Sequence, residues 1–172
     1  DNPFDLAING EGFFQIQLPD GDTGYTRDGS FQLNADGQLV NADGFPLVPN
    51  ITIDQAAVGI TINQNGQVLL KFDGQQAETI AGTVQLATFQ NKAGLEHIGR
   101  NLLKTTEASG AATTANPGTA GFGTLEQGFV EASNVDPVQE ITDLIQAQRG
   151  YELNSKVIET ADQMMSAINN VR

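Results

Sequence analysis

The sequence predicts a mainly β protein with one long C-terminal α-helix: a hairpin-rich β-sandwich or open barrel plus a projecting coiled-coil helix. Three observations predict this. Asp-Gly and Asn-Gly pairs recur between short apolar runs over the first hundred residues, the strongest short-range signal for β-hairpins. Glycine is frequent (19 residues) and the aromatic residues are mostly Phe (9), a composition that suits a turn-rich β protein. The C-terminal stretch after Pro137 carries apolar residues at heptad spacing and a single interior helix breaker.

Taken in order, "GFFQIQL" (Gly12 to Leu18) alternates at Phe14, Ile16 and Leu18, the period of two of a half-buried strand. Asp20-Gly21 then turns the chain into "YTRDGSFQL". There Tyr25 to Arg27 and Ser30 to Leu33 flank Asp28-Gly29, which reads as a further hairpin whose central residues both take positive φ. Asp36-Gly37, Asp43-Gly44 and Asn65-Gly66 repeat the device. "ADGQLV" and "QNGQVL" are similar enough to suggest one hairpin type used twice, without the regularity of a solenoid. "ITI" (51–53), "GITIN" (59–63), "QVLLKF" (67–72) and "GTVQLATF" (82–89) complete a β-rich domain over 1–104. Residues 105–135 change character. Small polar residues, Gly and Pro dominate, as in an extended Gly/Ala/Thr-rich linker, and "FVEASNV" (129–135) reads as a last extended segment.

The helix over 136–172 starts with Asp136 as N-cap, Pro137 in the first turn and Gln139 three residues after the cap. Gly150 is the one breaker in its interior. Leu144, Tyr151, Ile158 and Met165 are seven apart. Ala147, Asn154, Ala161 and Ile168 follow each of them by three residues. Alternating steps of three and four define a coiled-coil seam. Val157, Met164 and Val171 widen it, so the helix is expected to touch more than one neighbour. Small Ala147 and Ala161, with Gly150 nearby, allow close approach. Asn154 is the polar seam residue that can fix register. Glu152 and Lys156 stand off the seam in the favourable i, i+4 order. The competing reading is an ordinary core helix folded across the β domain. The chain offers no second helix, so a coiled coil needs a partner from outside these 172 residues.

The formal net charge is −13 and the eight Lys and Arg are scattered, which argues against nucleic acid and against an anionic membrane surface. Without cysteine there is no disulfide or thiolate chemistry. No run approaches the roughly 18 apolar residues of a membrane span, so no direct membrane insertion is expected. The start, "DNPFDLAING", is neither a signal peptide nor an initiating Met and reads as the interior of a longer chain. His97 is the lone histidine, and no G-x-S-x-G elbow or phosphate-loop spacing occurs. Asp20, Asp22 and Asp28 raise calcium, but an EF-hand loop counted from Asp20 would place Phe31 where the twelfth, acidic ligand belongs. Hairpin turns explain these acids better. The expectation is no enzyme, no catalytic residues, no cofactor and no metal site.

"DLAINGEGFFQIQLPDG", "YTRDGSFQLNADGQLVNADGFPLVP" and "QGFVEASNVDPVQEITDLIQAQRGYELNSKVIETADQMM" resemble, in order, the flagellar basal-body rod and hook family over nearly the whole chain. Tyr151 to Lys156 looks more like the distal rod branch than the hook. The resemblance implies a structural subunit with a β-rich outer domain. Its N- and C-terminal helices would pair in an inner coiled coil and stack against neighbouring subunits, so that the eight seam residues become subunit-interaction residues. It also implies self-assembly into a helical tubular shaft that transmits torque from motor to hook. The implied partners are other copies, proximal rod and hook subunits, the surrounding basal-body rings and the flagellar export apparatus. The implied location is the basal body, spanning the periplasm, after type III export without a cleaved signal. The alternatives are a hook or proximal rod subunit of the same family or, from a different class, a β-sandwich binding module for carbohydrate or calcium with a helical stalk.

Overall fold

A computed structural model of the chain describes residues 2–74, 77–131 and 137–169. It divides into two compact units, Asp1–Glu131 and Ala132–Arg172. The first contains fourteen short strands in chain order: β1 (Leu6–Asn9), β2 (Phe13–Gln17), β3 (Thr23–Thr26), β4 (Gln32–Leu33), β5 (Leu39–Val40), β6 (Leu47–Val48), β7 (Ala57–Ile62), β8 (Gln67–Phe72), β9 (Thr79–Thr83), β10 (Leu86–Thr88), β11 (Glu96–Gly99), β12 (Leu102–Lys104), β13 (Thr113–Ala115) and β14 (Thr124–Gln127). A short 3₁₀ turn, Lys92–Gly94, lies between β10 and β11. The strands form several antiparallel sheets. The largest runs β11-β12-β3-β2-β10-β13, with β6 also on β2, and the others are β7-β8-β9, β4-β5 and β1-β14. The architecture is mainly β with one long helix, as the sequence predicts, and the described strands form no closed barrel.

The strand β2 departs from the half-buried reading. Phe13, Phe14, Gln15 and Ile16 are all buried. Phe14 and Ile16 enter the main core with Leu6, Leu39, Leu86 and Leu125. Phe13 faces a second cluster built on Tyr25, Ala87, Phe89 and Leu95. The strand sits between two packed layers, so both faces bury side chains. The Phe14 and Phe31 rings meet edge to face at 5.1 Å, as do those of Tyr25 and Phe89 at 4.8 Å.

The turns explain much of the asparagine and glycine. Gly37 N–H donates to Asn34 O, and Gly37 alone takes positive φ (+74°). This is a turn followed by a left-handed glycine, not a two-residue turn with both central residues at positive φ. The Asn34 side-chain oxygen accepts from Asp36 and Gln38 N–H, and its amide donates to the Gln38 side chain. Asn63 repeats each of these contacts with Asn65 and Gln67, and Asn41 takes two of them with Asp43 and Phe45. One turn is thus used three times. Consecutive positive-φ residues occur elsewhere, at Gly99 (88°), Arg100 (53°) and Asn101 (59°), where β11 turns into β12.

Asp28-Gly29 is not a hairpin turn. β3 pairs with β2 and β12, while β4 pairs with β5. Asp28 instead accepts Ser30 N–H through its carboxylate, and Ser30 bridges to Asp5. Gly29 is required for a close backbone approach. A Cβ there would lie 1.7 Å from Leu6 O, and Leu6 N–H donates to Gly29 O at 3.0 Å.

Much of the segment expected as linker is structured. β13 pairs with β10, and β14 pairs with β1 in the register Leu6↔Gln127 to Asn9↔Thr124. Leu125 is buried in the main core, and Gln127 holds three backbone groups: it accepts from Ile62 N–H and donates to Pro3 O and Ile60 O. Single apolar residues in a Gly/Thr-rich context carry too weak a period to be read as strands. The proposed N-cap Asp136 and most of "FVEASNV" lie outside the described residues.

Candidate functional site

The second unit carries α1, Pro137–Asn169, 33 residues or about 50 Å of rise. Its sequence favours helix: Leu, Ile, Ala, Gln and Glu dominate, and Pro occurs only at the start. Thr142 and Thr160, weak helix formers, turn their hydroxyls back onto Val138 O and Lys156 O at 2.7 Å each. A Cβ added at Gly150 would meet nothing within 4 Å among the described residues.

The helix presents apolar side chains to solvent. Leu144 is 59% exposed, Tyr151 81%, Ile158 63% and Met165 69%. Ala147, Asn154 and Ala161 are exposed beside them. Ile168 lies within the helical span, its side chain outside those described. The helix places both series on one slowly drifting stripe, because residues seven apart differ by about 20° around its axis. Val157 and Met164 are exposed on one flank. Val138, Ile141 and Ile145 extend the apolar surface toward the start on another side, a feature the heptad reading omits and a helical plot of the same residues reveals. Complete burial of a large aliphatic or aromatic side chain contributes about 1.5–3 kcal/mol. Leu144, Tyr151, Ile158 and Met165 are thus large apolar side chains that remain more than half exposed.

The residues weighed for metal or catalytic chemistry lie apart from one another or are engaged elsewhere. His97 is exposed on β11 opposite Leu103. Lys104 pairs with Asp22 at 2.5 Å and with Asp20 at 3.8 Å, and these carboxylates hold the ammonium above the ordinary lysine range. For Asp28, partial burial pushes the carboxyl upward, but hydrogen bonds from Ser30 and the Asn101 amide outweigh it and leave the group below the usual range. Burial raises the Tyr25 hydroxyl. Among the described residues no group of three or more His, Cys, Asp or Glu side chains is placed to share a metal ion. No described helix is long and apolar enough to cross a membrane.

The chain thus combines a hairpin-rich β unit with a long helix that carries exposed apolar residues at heptad spacing. Residues 7–70 match the flagellar hook protein FlgE/F/G D1 domain, and residues 126–171 match the flagellar basal body rod FlgEFG protein C-terminal domain. The chain belongs to this flagellar rod and hook family. It is 56% identical over 172 residues to the flagellar basal-body rod protein FlgG of Caulobacter vibrioides, covering all of this chain and 66% of that one. It is 47% identical over 167 residues to FlgG of Buchnera aphidicola from Acyrthosiphon pisum, covering 97% of this chain and 64% of the relative. The flagellar hook protein FlgE of Escherichia coli is 39% identical over 115 residues, 67% of this chain and 28% of that protein. The chain spans slightly under two-thirds of the length of the FlgG relatives.

Proposed function

We propose that the chain is the greater part of a structural subunit of the bacterial flagellar distal rod, and that the stripe through Leu144, Ala147, Tyr151, Asn154, Ile158, Ala161, Met165 and Ile168 is its assembly surface. The observation that carries this reading is the exposed heptad seam of α1. Similarity to basal-body rod proteins over the whole of this chain supports the distal rod assignment. The partners of the seam are a helix from the N-terminal part of the full-length protein and helices of neighbouring copies. Heterologous contacts that do not close on themselves build a helical tube instead of a ring. The subunit is structural, not catalytic, and works in the basal body by transmitting torque across the periplasm. Export without a cleaved signal and contacts with proximal rod, hook and ring proteins belong to the same reading.

Replacing Ile158 and Ala161 with Glu in the full-length protein places two charges in the seam. The expected result is loss of assembled rods and of swimming with the β unit still folded. Normal rods and motility would exclude the seam as the assembly surface. The similarity to a hook protein favours one further reading, a hook subunit. Electron microscopy of basal bodies carrying a tagged full-length protein separates the two by the position of the tag relative to the outer-membrane ring.

A further inference from the structure

Arg27 stands outside any role considered so far, yet its side chain makes four hydrogen bonds. One terminal nitrogen, Nη1, donates to Gly10 O at 2.8 Å and to Gly12 O at 2.9 Å. The other, Nη2, donates to Ile8 O at 3.3 Å, and Nε donates to the Glu131 carboxylate at 2.9 Å. The three carbonyls belong to the end of β1, the corner after it and the residue before β2. Gly10 (φ +113°) and Gly12 (φ +144°) adopt backbone conformations that L side chains rarely take, and this lets the carbonyls converge on one cation. From the other side, Gly123 N–H donates to Glu11 O, and a Cβ on Gly123 would lie 2.6 Å from Asn9 O. The corner is therefore held between Gly123 and the guanidinium. "INGEGF" and "YTRDG", two separate parts of the family resemblance, are the two halves of this contact.

Glu131 is the last residue of the β unit. Between it and β14, Gly128 N–H is anchored on Asp5 O at 2.8 Å. Phe129 and Val130 are exposed. An exposed ion pair ordinarily contributes little, because two long side chains must be ordered to form it. Here the guanidinium is already fixed by three carbonyls, so only Glu131 has to be ordered, and the planar fork leaves Nε aimed at it. We propose that Arg27 is a clasp that captures Glu131 and so fixes the point at which the chain leaves the β unit on its way to the helix.

The test is backbone ¹⁵N relaxation on the ¹⁵N-labelled 172-residue chain, comparing the wild type with E131Q and R27K. In the wild type, residues 129–131 should have order parameters near the rigid-backbone value of about 0.85, and in E131Q they should fall toward about 0.6. The melting temperature of the β unit should stay unchanged in E131Q, because the Glu131 side chain is 46% exposed and Arg27 keeps its three carbonyl partners. Raising the salt should loosen the wild-type segment toward the E131Q value. R27K keeps the charge but not the fork. It should loosen residues 129–131 and also the Glu11 corner, which E131Q leaves ordered. If residues 129–131 are equally ordered in wild type and E131Q, or already mobile in the wild type, the clasp does not exist. E131Q decides the matter even if R27K fails to fold.

Discussion

Gly29→Ala and Gly21→Ala make the same chemical change at two Asp-Gly pairs, and the structure predicts very different costs. Gly21 sits in the β2–β3 turn at φ +88° with nothing within 4 Å of an added Cβ. Alanine there suffers only the left-handed backbone penalty, about 1–2 kcal/mol. At Gly29 the added Cβ would lie 1.7 Å from Leu6 O, 2.7 Å from Leu6 C and 3.2 Å from the Phe14 ring. The two backbones must part. That breaks the 3.0 Å bond from Leu6 N–H to Gly29 O and leaves a donor unpaired beside a fully buried residue, a loss of about 1–3 kcal/mol. Displacing Leu6 and Phe14 within a close-packed core adds about 1–3 kcal/mol more. The sum is about 2–6 kcal/mol. For a β unit of this size it corresponds to a fall in melting temperature of roughly 6–24 °C, against roughly 3–8 °C for Gly21→Ala. Near-UV circular dichroism reads it directly, because buried Tyr25 and the paired Phe rings report tertiary packing in the β unit alone. Equal melting temperatures for the two variants would refute the claim that close approach, not turn geometry, dictates glycine at position 29.

Other outcomes follow from the same structure. Phe14→Ala should cost about 3–5 kcal/mol by denaturant titration, since the ring is fully buried and stacked edge-on against Phe31. Asp28 has a lowered folded-state pKa, so its contribution to stability is present above the unfolded carboxylate value and is lost as pH falls from about 4 through the folded value; D28N should flatten that part of the acid unfolding profile. Gly150→Ala should raise helix content at 222 nm, worth about 0.8–1 kcal/mol of propensity, because none of the described residues lies within 4 Å of an added methyl group there. In the full-length protein the same change should impair assembly if a neighbouring helix packs against that point.

What the sequence discloses follows from the range of the forces involved. Turns are local, so Asp36-Gly37 and Asn65-Gly66 were legible as hairpins, and the reuse of one turn was visible in "ADGQLV" and "QNGQVL". The heptad stripe was legible because a helix fixes which residues share a face. The pairing of β1 with β14 joins opposite ends of the β unit through four residues each, and no local pattern encodes it. Leu125 alone marks β14 as a core strand within a stretch whose composition suits a linker. Gly29 carries the same Asp-Gly signature as a turn, but its reason lies in Leu6, a residue distant in sequence. Arg27 was invisible as a clasp because its partners are backbone carbonyls, which every sequence supplies. The Arg100-Asn101 turn lacked glycine at its centre, although Asn, which tolerates positive φ, offered a weak hint.

The central claim is that the stripe on α1 is buried against other helices in the working assembly. Site-specific photo-crosslinking in isolated basal bodies tests it most directly, with a benzophenone side chain placed at Tyr151 on the seam or at Lys156 on the opposite face of the helix. The account predicts strong cross-links to neighbouring copies from position 151 and much weaker ones from position 156. Equal yields from the two positions, or none from position 151, would contradict it.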